Sequence, residues 1–454
     1  MKKIVIVGGG ASGMFAAICA KRAGADVLLL EHTDRIGKKL LATGNGKCNL
    51  TNLTIEPGDY RGNHPSFATP VLRSFTPGQT LELFEEMGLV WKEKSGLVYP
   101  YSNQASTVLD LLRTELERLR VTVLTEVRVA EILPASSKSL MKGFLIRTSQ
   151  GEYRADSVIL TCGSKAAPKT GSDGSGYQLA RKLGHTVIEP LPALVQLKAE
   201  GNYFKMIAGV RSDCRLRLYI EEHAGGRKQR RQNGNGDMSV KEQLVSEEVG
   251  EVQFTDYGIS GIPVFQLSRF AVRALWEKKK TYVVCDFLPD MEETALYEYL
   301  CRKKQRLFEQ GSCEELLLGL LNKKLNLMLL KESGFSGQAK AAGLSQKQMK
   351  KLCRRIKNWE IHLNGYQSFE QGQICQGGIA TEELKETLES KIHNGLYFAG
   401  EIIDIDGRCG GYNLQWAWSS AYVAAANAAG RTKTGAVGEK DGSISGKGKR
   451  KCFE

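Results

Sequence analysis

The first 31 residues constrain this chain more than anything that follows. Ile4-Val5-Ile6-Val7 is a short, wholly apolar, β-branched run, the pattern of a buried parallel strand. It passes into Gly8-Gly9-Gly10-Ala11-Ser12-Gly13 and a small-residue helix, Met14 to Ala23. Ala25 to Leu30 is then a second apolar strand, ending in Glu31. Gly8 permits a tight turn, Gly10 lets the backbone approach a pyrophosphate, and Gly13 lets helix and strand pack closely. The helix N-terminus offers unpaired N–H groups and a partial positive charge to phosphates. Glu31 is placed to accept from ribose hydroxyls, and its charge would repel a 2′-phosphate, which disfavours NADP here.

Further on, the chain repeats this texture and then abandons it. Helical spacing over 104–120 precedes strands at Val121 to Val129 and Phe144 to Thr148. Val158 to Gly163 is another buried strand ending at glycine. From about Leu191 to Asn364 short alternating segments (Arg215 to Glu221, Val249 to Thr255, Thr281 to Phe287) predict a β-rich unit. Amphipathic helices follow near Glu292–Gln310, Glu314–Lys331 and Ser345–Lys357. Gly395 to Glu401 restores the strand-then-glycine pattern and leads through Gly410-Gly411 into an Ala-rich helix, Trp416 to Ala429. The division expected is therefore a nucleotide-binding unit over 1–190, an insert over 191–364, a closing segment over 365–430 and a disordered tail over 431–454. One ligand touched near residues 10, 45, 162 and 405 must be long, and FAD fits better than NAD alone. No second glycine motif follows a strand, so a nicotinamide donor is expected to visit only transiently.

Composition matters at two points. The net charge is +13, but eight of those charges fall on Arg227, Lys228, Arg230 and Arg231 and on the tail from Arg431 to Glu454. The Arg227–Arg231 run has no aromatic neighbour, and the two segments read as a solvated loop and a tail, so nucleic acid is not the expected partner. The 11 cysteines are dispersed without any CxxC, which fits reduced thiols in a cytoplasmic protein and no metal site. No stretch approaches the ~18 apolar residues of a membrane span, and the glycines at 8–10 end the N-terminal apolar run too early for a signal peptide.

Four strings together carry a resemblance: VGGGASG (Val7 to Gly13) with Glu31, TGNGKCNLTN (Thr43 to Asn52), FTDYGISGIP (Phe254 to Pro263) and LYFAGEIIDIDGRCGGYNLQ (Leu396 to Gln415). With PALVQL (Pro192 to Leu197), they resemble a bacterial FAD-dependent oxidoreductase family. That family includes the flavoprotein reductase of bile-acid 7α-dehydroxylation, and the likeness runs to about Gly430. Ile262 stands between Gly261 and Pro263 where the family pattern runs glycine–proline. The resemblance implies an α/β, doubly wound FAD-binding fold of the two-dinucleotide-binding-domain kind, its insert part β-barrel-like and part helical. Carried over by position, it places FAD on Gly8, Gly10, Ala11, Ser12, Gly13, Glu31 and Lys38. It continues onto Asn45, Gly46, Lys47, Cys48 and Asn49, the backbone near Val129, and Cys162 and Gly163. The C-terminal contacts are Gly400, Glu401, Asp404, Asp406, Gly411, Tyr412, Asn413 and Leu414.

The leading expectation is NAD(P)H-driven reduction, through FAD, of a carbon–carbon double bond conjugated to a ketone in a steroid- or bile-acid-like small molecule. Such chemistry needs a group to stabilise the enolate oxygen and a proton donor. Arg408, Tyr412, Tyr99 and Tyr101 are candidates, with no choice among them and no catalytic residue assigned. A redox pair of Cys48 and Cys409 is a minor idea. Two rivals remain: an oxidase of small amines, and an RNA-binding flavoprotein. The oligomeric state is open.

Overall fold

The computed structural model describes residues 1–135, 143–223, 240–307 and 310–430. The basic run at Arg227–Arg231 and the tail from Arg431 lie outside the described residues. A five-stranded parallel sheet forms the frame, built from β1 (Lys3–Val7), β2 (Asp26–Leu30), β3 (Thr122–Leu124), β4 (Ser157–Leu160) and β5 (Leu396–Phe398). Its order is β5-β4-β1-β2-β3, with β1 central and its apolar side chains buried on both faces. Helix α1 (Ala11–Arg22) covers one face. It buries Phe15 against Phe75, Phe84 and Trp418 at ring separations of 5.2 to 5.9 Å.

The strand expected over Val121 to Val129 is two. Glu126 takes a left-handed conformation (φ 59°), which ends β3 at Leu124 and starts a separate three-stranded meander at Val129.

The insert is a closed six-stranded barrel. Around it run Leu197–Ala199, Gly258–Ser260, Val240–Phe254, Arg211–His223, Thr281–Asp286 and Trp359–Tyr366, every pair antiparallel. Leu216, Leu218, Val252, Phe254, Val283 and Trp359 are all fully buried in its core. The helix expected over Glu314–Lys331 is two, Cys313–Leu317 and Lys323–Glu332. The second is started afresh by Asn322, whose side chain accepts from the Lys324 N–H at 2.9 Å. Helix α2 (Ile262–Trp276) was not expected at all, although Pro263 in its first turn and apolar residues at 264, 267, 271 and 272 mark it. It packs between the barrel and the frame.

The chain enters and leaves the insert side by side, because Val187–Ala193 pairs antiparallel with Ile374–Ile379. Helix α3 (Tyr412–Ala428) then closes the frame against α1, starting four residues earlier than the sequence suggests. Among the described residues no helix is long and apolar enough to cross a membrane.

Candidate active site

The cradle begins at the α1 N-terminus. Gly8 holds φ 108°, and a Cβ there would lie 2.7 Å from the Thr161 carbonyl oxygen. A Cβ on Gly13 would lie 1.8 Å from the Gly8 oxygen, so the helix touches its own turn. Gly10, the residue before the helix, differs: a Cβ on it meets nothing within 4 Å. No side chain caps this end and no acid sits in its first turn. Its free N–H groups therefore face open space, the arrangement that receives a diphosphate. Glu31, only 7% exposed, accepts from the Gly9 N–H at 2.7 Å and the Thr33 N–H at 2.8 Å. The Val127 N–H donates to the Glu31 carbonyl at 2.9 Å, which brings Val129 alongside. Gly163 (φ 69°) and Cys162 follow β4 beneath the turn, and the Cys162 thiol donates to the Val7 carbonyl at 3.3 Å.

A second uncapped helix N-terminus lies across from the first. Gly411 precedes α3 at φ 91°, with a would-be Cβ 2.5 Å from the Thr51 oxygen. That contact seats α3 on the 43–52 segment, where Gly44, Asn45, Gly46 and Cys48 are all left-handed (φ 53 to 81°). With its amide oriented to satisfy its neighbours, Asn49 donates to the Thr51 and Val98 carbonyls at 3.1 and 3.2 Å. Asn413 ties the approach to α3: its Oδ1 accepts from the Gly407 N–H at 2.8 Å and its Nδ2 donates to the Gly407 and Arg408 carbonyls. The Tyr412 carbonyl accepts from the Tyr60 hydroxyl at 2.9 Å, and Leu414 is half-buried. Gly400 joins the two helices. A Cβ on it would meet Ser12 Oγ at 2.5 Å, and its carbonyl accepts from Trp416 Nε1 at 3.1 Å. Ala11 sits half-buried beside Ser12.

Lys38 pairs with Asp34 one turn earlier, and Lys39 is the lysine that reaches the C-terminal segment, 2.6 Å from Glu401. Glu401 also accepts from Ser164 Oγ at 3.0 Å. Asn45 and Lys47 are exposed. Burial pushes the Cys48 thiol up to about 12 and raises that of Cys409, so neither is a ready thiolate.

Residues that sequence reading missed sit where the insert meets the frame. From α2, Gln266 accepts from the Cys409 N–H at 3.1 Å, and Arg269 Nε lies 2.7 Å from Asp406 Oδ2. Asp404 and Asp406 are 2% and 3% exposed. Asp404 accepts from the Asn63 N–H at 2.9 Å, and burial lifts its carboxyl from 3.8 to about 6. The apolar periodicity of 262–276 was the signal that could have found α2; nothing local could have paired Arg269 with Asp406. Of the four candidate donors, Arg408 is held by Glu248 at 2.8 Å, and Tyr101 is 65% exposed with Lys92 over its ring. Tyr99, half-buried, lies beside Cys409, and burial keeps its phenol and that of Tyr412 protonated.

A family profile, the HI0933-like protein Rossmann domain, matches residues 2–427. The chain belongs to the HI0933-like family. The 3-dehydro-bile acid delta(4,6)-reductase of Clostridium scindens is 44% identical over 95% of this chain and 100% of its own length. The ribosomal RNA dihydrouridine synthase of Haemophilus influenzae is 29% identical over 93% of this chain and 97% of its own. The 3-ketosteroid-delta4-(5alpha)-dehydrogenase of Rhodococcus jostii RHA1 overlays 94% of this chain and 97% of its own at 15% identity, with a TM-score of 0.42. This HI0933-like protein is an oxidoreductase, and FAD is the cofactor its cradle fits. The open space above Gly10 and the two uncapped helix ends are the features of the cradle that match a cofactor carrying a diphosphate.

Proposed function

We infer that this protein reduces a carbon–carbon double bond conjugated to a carbonyl, in a bile-acid-like 3-oxo-4-ene or 3-oxo-4,6-diene, with NAD(P)H as the ultimate electron source. The observation that carries this reading is the 44% identity to a bile-acid delta(4,6)-reductase across that protein's whole length. A second reading, ribosomal RNA as substrate, is favoured by the 29% identity to dihydrouridine synthases. The two share a reaction class, since dihydrouridine is uridine with the double bond beside its C4 carbonyl saturated.

Bound FAD supplies the hydride for such a reduction. The chain's own part is to bind and orient. The free N–H groups of α1 offer charge stabilisation to the cofactor's phosphates, and those of α3 to a second part of the same molecule. Glu31, locked by two backbone donors, is fixed beside the turn for ribose hydroxyls. Asn413 and Gln266 hold the 405–411 segment at Gly407 and Cys409, which limits its reorganisation when charge develops on a substrate oxygen. For the proton we propose Tyr99, half-buried beside Cys409, whose phenol burial keeps protonated.

The test is anaerobic mixing of the yellow holoprotein with NADH or NADPH. Bleaching is expected, followed by return of colour on adding a 3-oxo-4-ene steroid. Peroxide release with a small amine and no bleaching by either nucleotide would overturn the reductase reading.

A further inference from the structure

Four guanidiniums converge where α2 and the long Arg211–His223/Val240–Phe254 hairpin meet the 404–409 segment. Two have carboxylate partners: Arg269 is paired with Asp406, and Arg408 with Glu248. Among the described residues the other two have no carboxylate within ion-pair distance. Arg61 donates to the Asp59 carbonyl at 3.2 Å, and Arg273 to the Gln376 side-chain oxygen at 3.3 Å, both neutral acceptors. Each lies over an aromatic ring, Arg61 at 5.4 Å from Phe270 and Arg273 at 5.7 Å from Trp276. Arg269 also lies over Phe270, at 5.9 Å from its centroid.

Charge around this junction does not balance. Among the described residues, Arg61, Arg269, Arg273 and Arg408 face Asp404, Asp406 and Glu248, an excess of one positive charge. Glu277 and Lys279, nearby, answer each other at 2.9 Å. Arg269, Phe270 and Arg273 line a cavity of about 140 Å³ whose apolar walls are Ile220, Val245 and Ala274 and whose remaining lining is Glu277 and Lys279; Arg61 adjoins it through the Phe270 ring. A half-buried cation with only neutral hydrogen-bond partners is costly to hold in a fold unless something else uses it. An apolar wall next to a guanidinium is what an apolar molecule ending in a carboxylate requires.

We propose that Arg61 and Arg273 form a subsite for the carboxylate at the end of an apolar substrate, and so determine specificity for sterol acids over neutral sterols. This rests on the bile-acid reading above, since bile acids are steroids carrying a side-chain carboxylate. Through Arg269 and Asp406 the subsite is joined to the segment that approaches α3, so the anionic end is bound on the same structural unit that lines the cradle.

The experiment measures steady-state turnover by the holoenzyme of 3-oxochol-4-en-24-oic acid against its methyl ester. The wild type is compared with Arg61→Met, Arg273→Met, the double variant and Arg61→Lys. In the wild type the acid should have a KM at least about tenfold below the ester's. The double variant should raise the acid's KM by about ten- to a hundredfold with kcat held, moving the ester's KM less than about twofold; Arg61→Lys should restore part of the preference. Ester turnover reports that each variant is folded, and the wild-type acid–ester ratio needs no variant at all. Equal KM values in the wild type, or a preference that survives the double substitution, would overturn the subsite while leaving the reductase reading in place. If neither compound is turned over, the reductase reading fails and the subsite with it. Salt-sensitive binding of a ribosomal RNA fragment, lost in the double variant without any acid preference, would assign the arginines to phosphate instead and overturn the proposal.

Discussion

Two helices in this molecule begin the same way and are built differently. Both α1 and α3 follow a glycine, carry no capping side chain and have no acid in their first turn. At α1 the motif is local: strand, turn and helix are consecutive, and the tightest contact joins Gly13 to Gly8. At α3 the device is assembled from afar. Gly411 touches Thr51, Gly400 touches Ser12, and the preceding segment is gripped by Gln266 of the insert. A helix end made by adjacent residues can be read as a motif; one made by residues 360 positions apart cannot.

The sharpest way to break that comparison is within the first turn itself. Gly13→Ala places a Cβ 1.8 Å from a backbone oxygen, so it should cost more than about 3 kcal/mol in urea unfolding and leave little flavin-loaded protein. Gly10→Ala meets no protein atom, so apoprotein stability should move by less than about 1 kcal/mol while the flavin-to-protein ratio falls. Equal losses of stability in the two variants would mean that the space above Gly10 is not the cofactor's.

At the remote end the largest effect should come from Arg269→Met. It leaves Asp406 buried without its cation, at a cost of about 3 kcal/mol, seen as loosened protection of α2 in hydrogen exchange. Global unfolding without selective exposure of α2 would count against its role as the clamp.

Asp404 sharpens the same region through pH. Its carboxyl titrates near 6 in the fold against an ordinary value of 3.8, so between those values the native protein holds a proton that the unfolded chain has released. Its contribution to stability is therefore highest below pH 4 and falls as pH rises through 6. Asp404→Asn should gain on the wild type by up to ~3 kcal/mol between pH 4 and 7. A difference that does not change with pH contradicts the assignment. The smallest effect expected is Lys39→Met, about 1 kcal/mol or less from a part-exposed pair with Glu401.

What could be read beforehand follows the same division. The frame strands, α1 and Glu31 were legible because each rests on neighbours in sequence. The barrel was legible as β-rich texture but not as closed, since closure depends on pairing Leu197–Ala199 with both Gly258–Ser260 and Trp359–Tyr366. Helix α2 carried its own periodic signal and was overlooked behind the Gly-Ile-Pro turn. The arginine cluster had no sequence signal, because its members stand at 61, 269, 273 and 408. The Lys39–Glu401 pair had no sequence signal either, because its partners stand 362 positions apart.

The central claim, that the site reduces a carbonyl-conjugated double bond, is tested most directly by a single turnover without any nicotinamide. Holoprotein photoreduced under argon is mixed with one equivalent of 3-oxochola-4,6-dien-24-oic acid, and flavin colour and sterol product are followed together. The account predicts that the flavin reoxidises as one double bond of the sterol is saturated, one for one. Flavin that stays bleached with the sterol, yet reoxidises with a uridine-containing ribosomal RNA fragment, would contradict it.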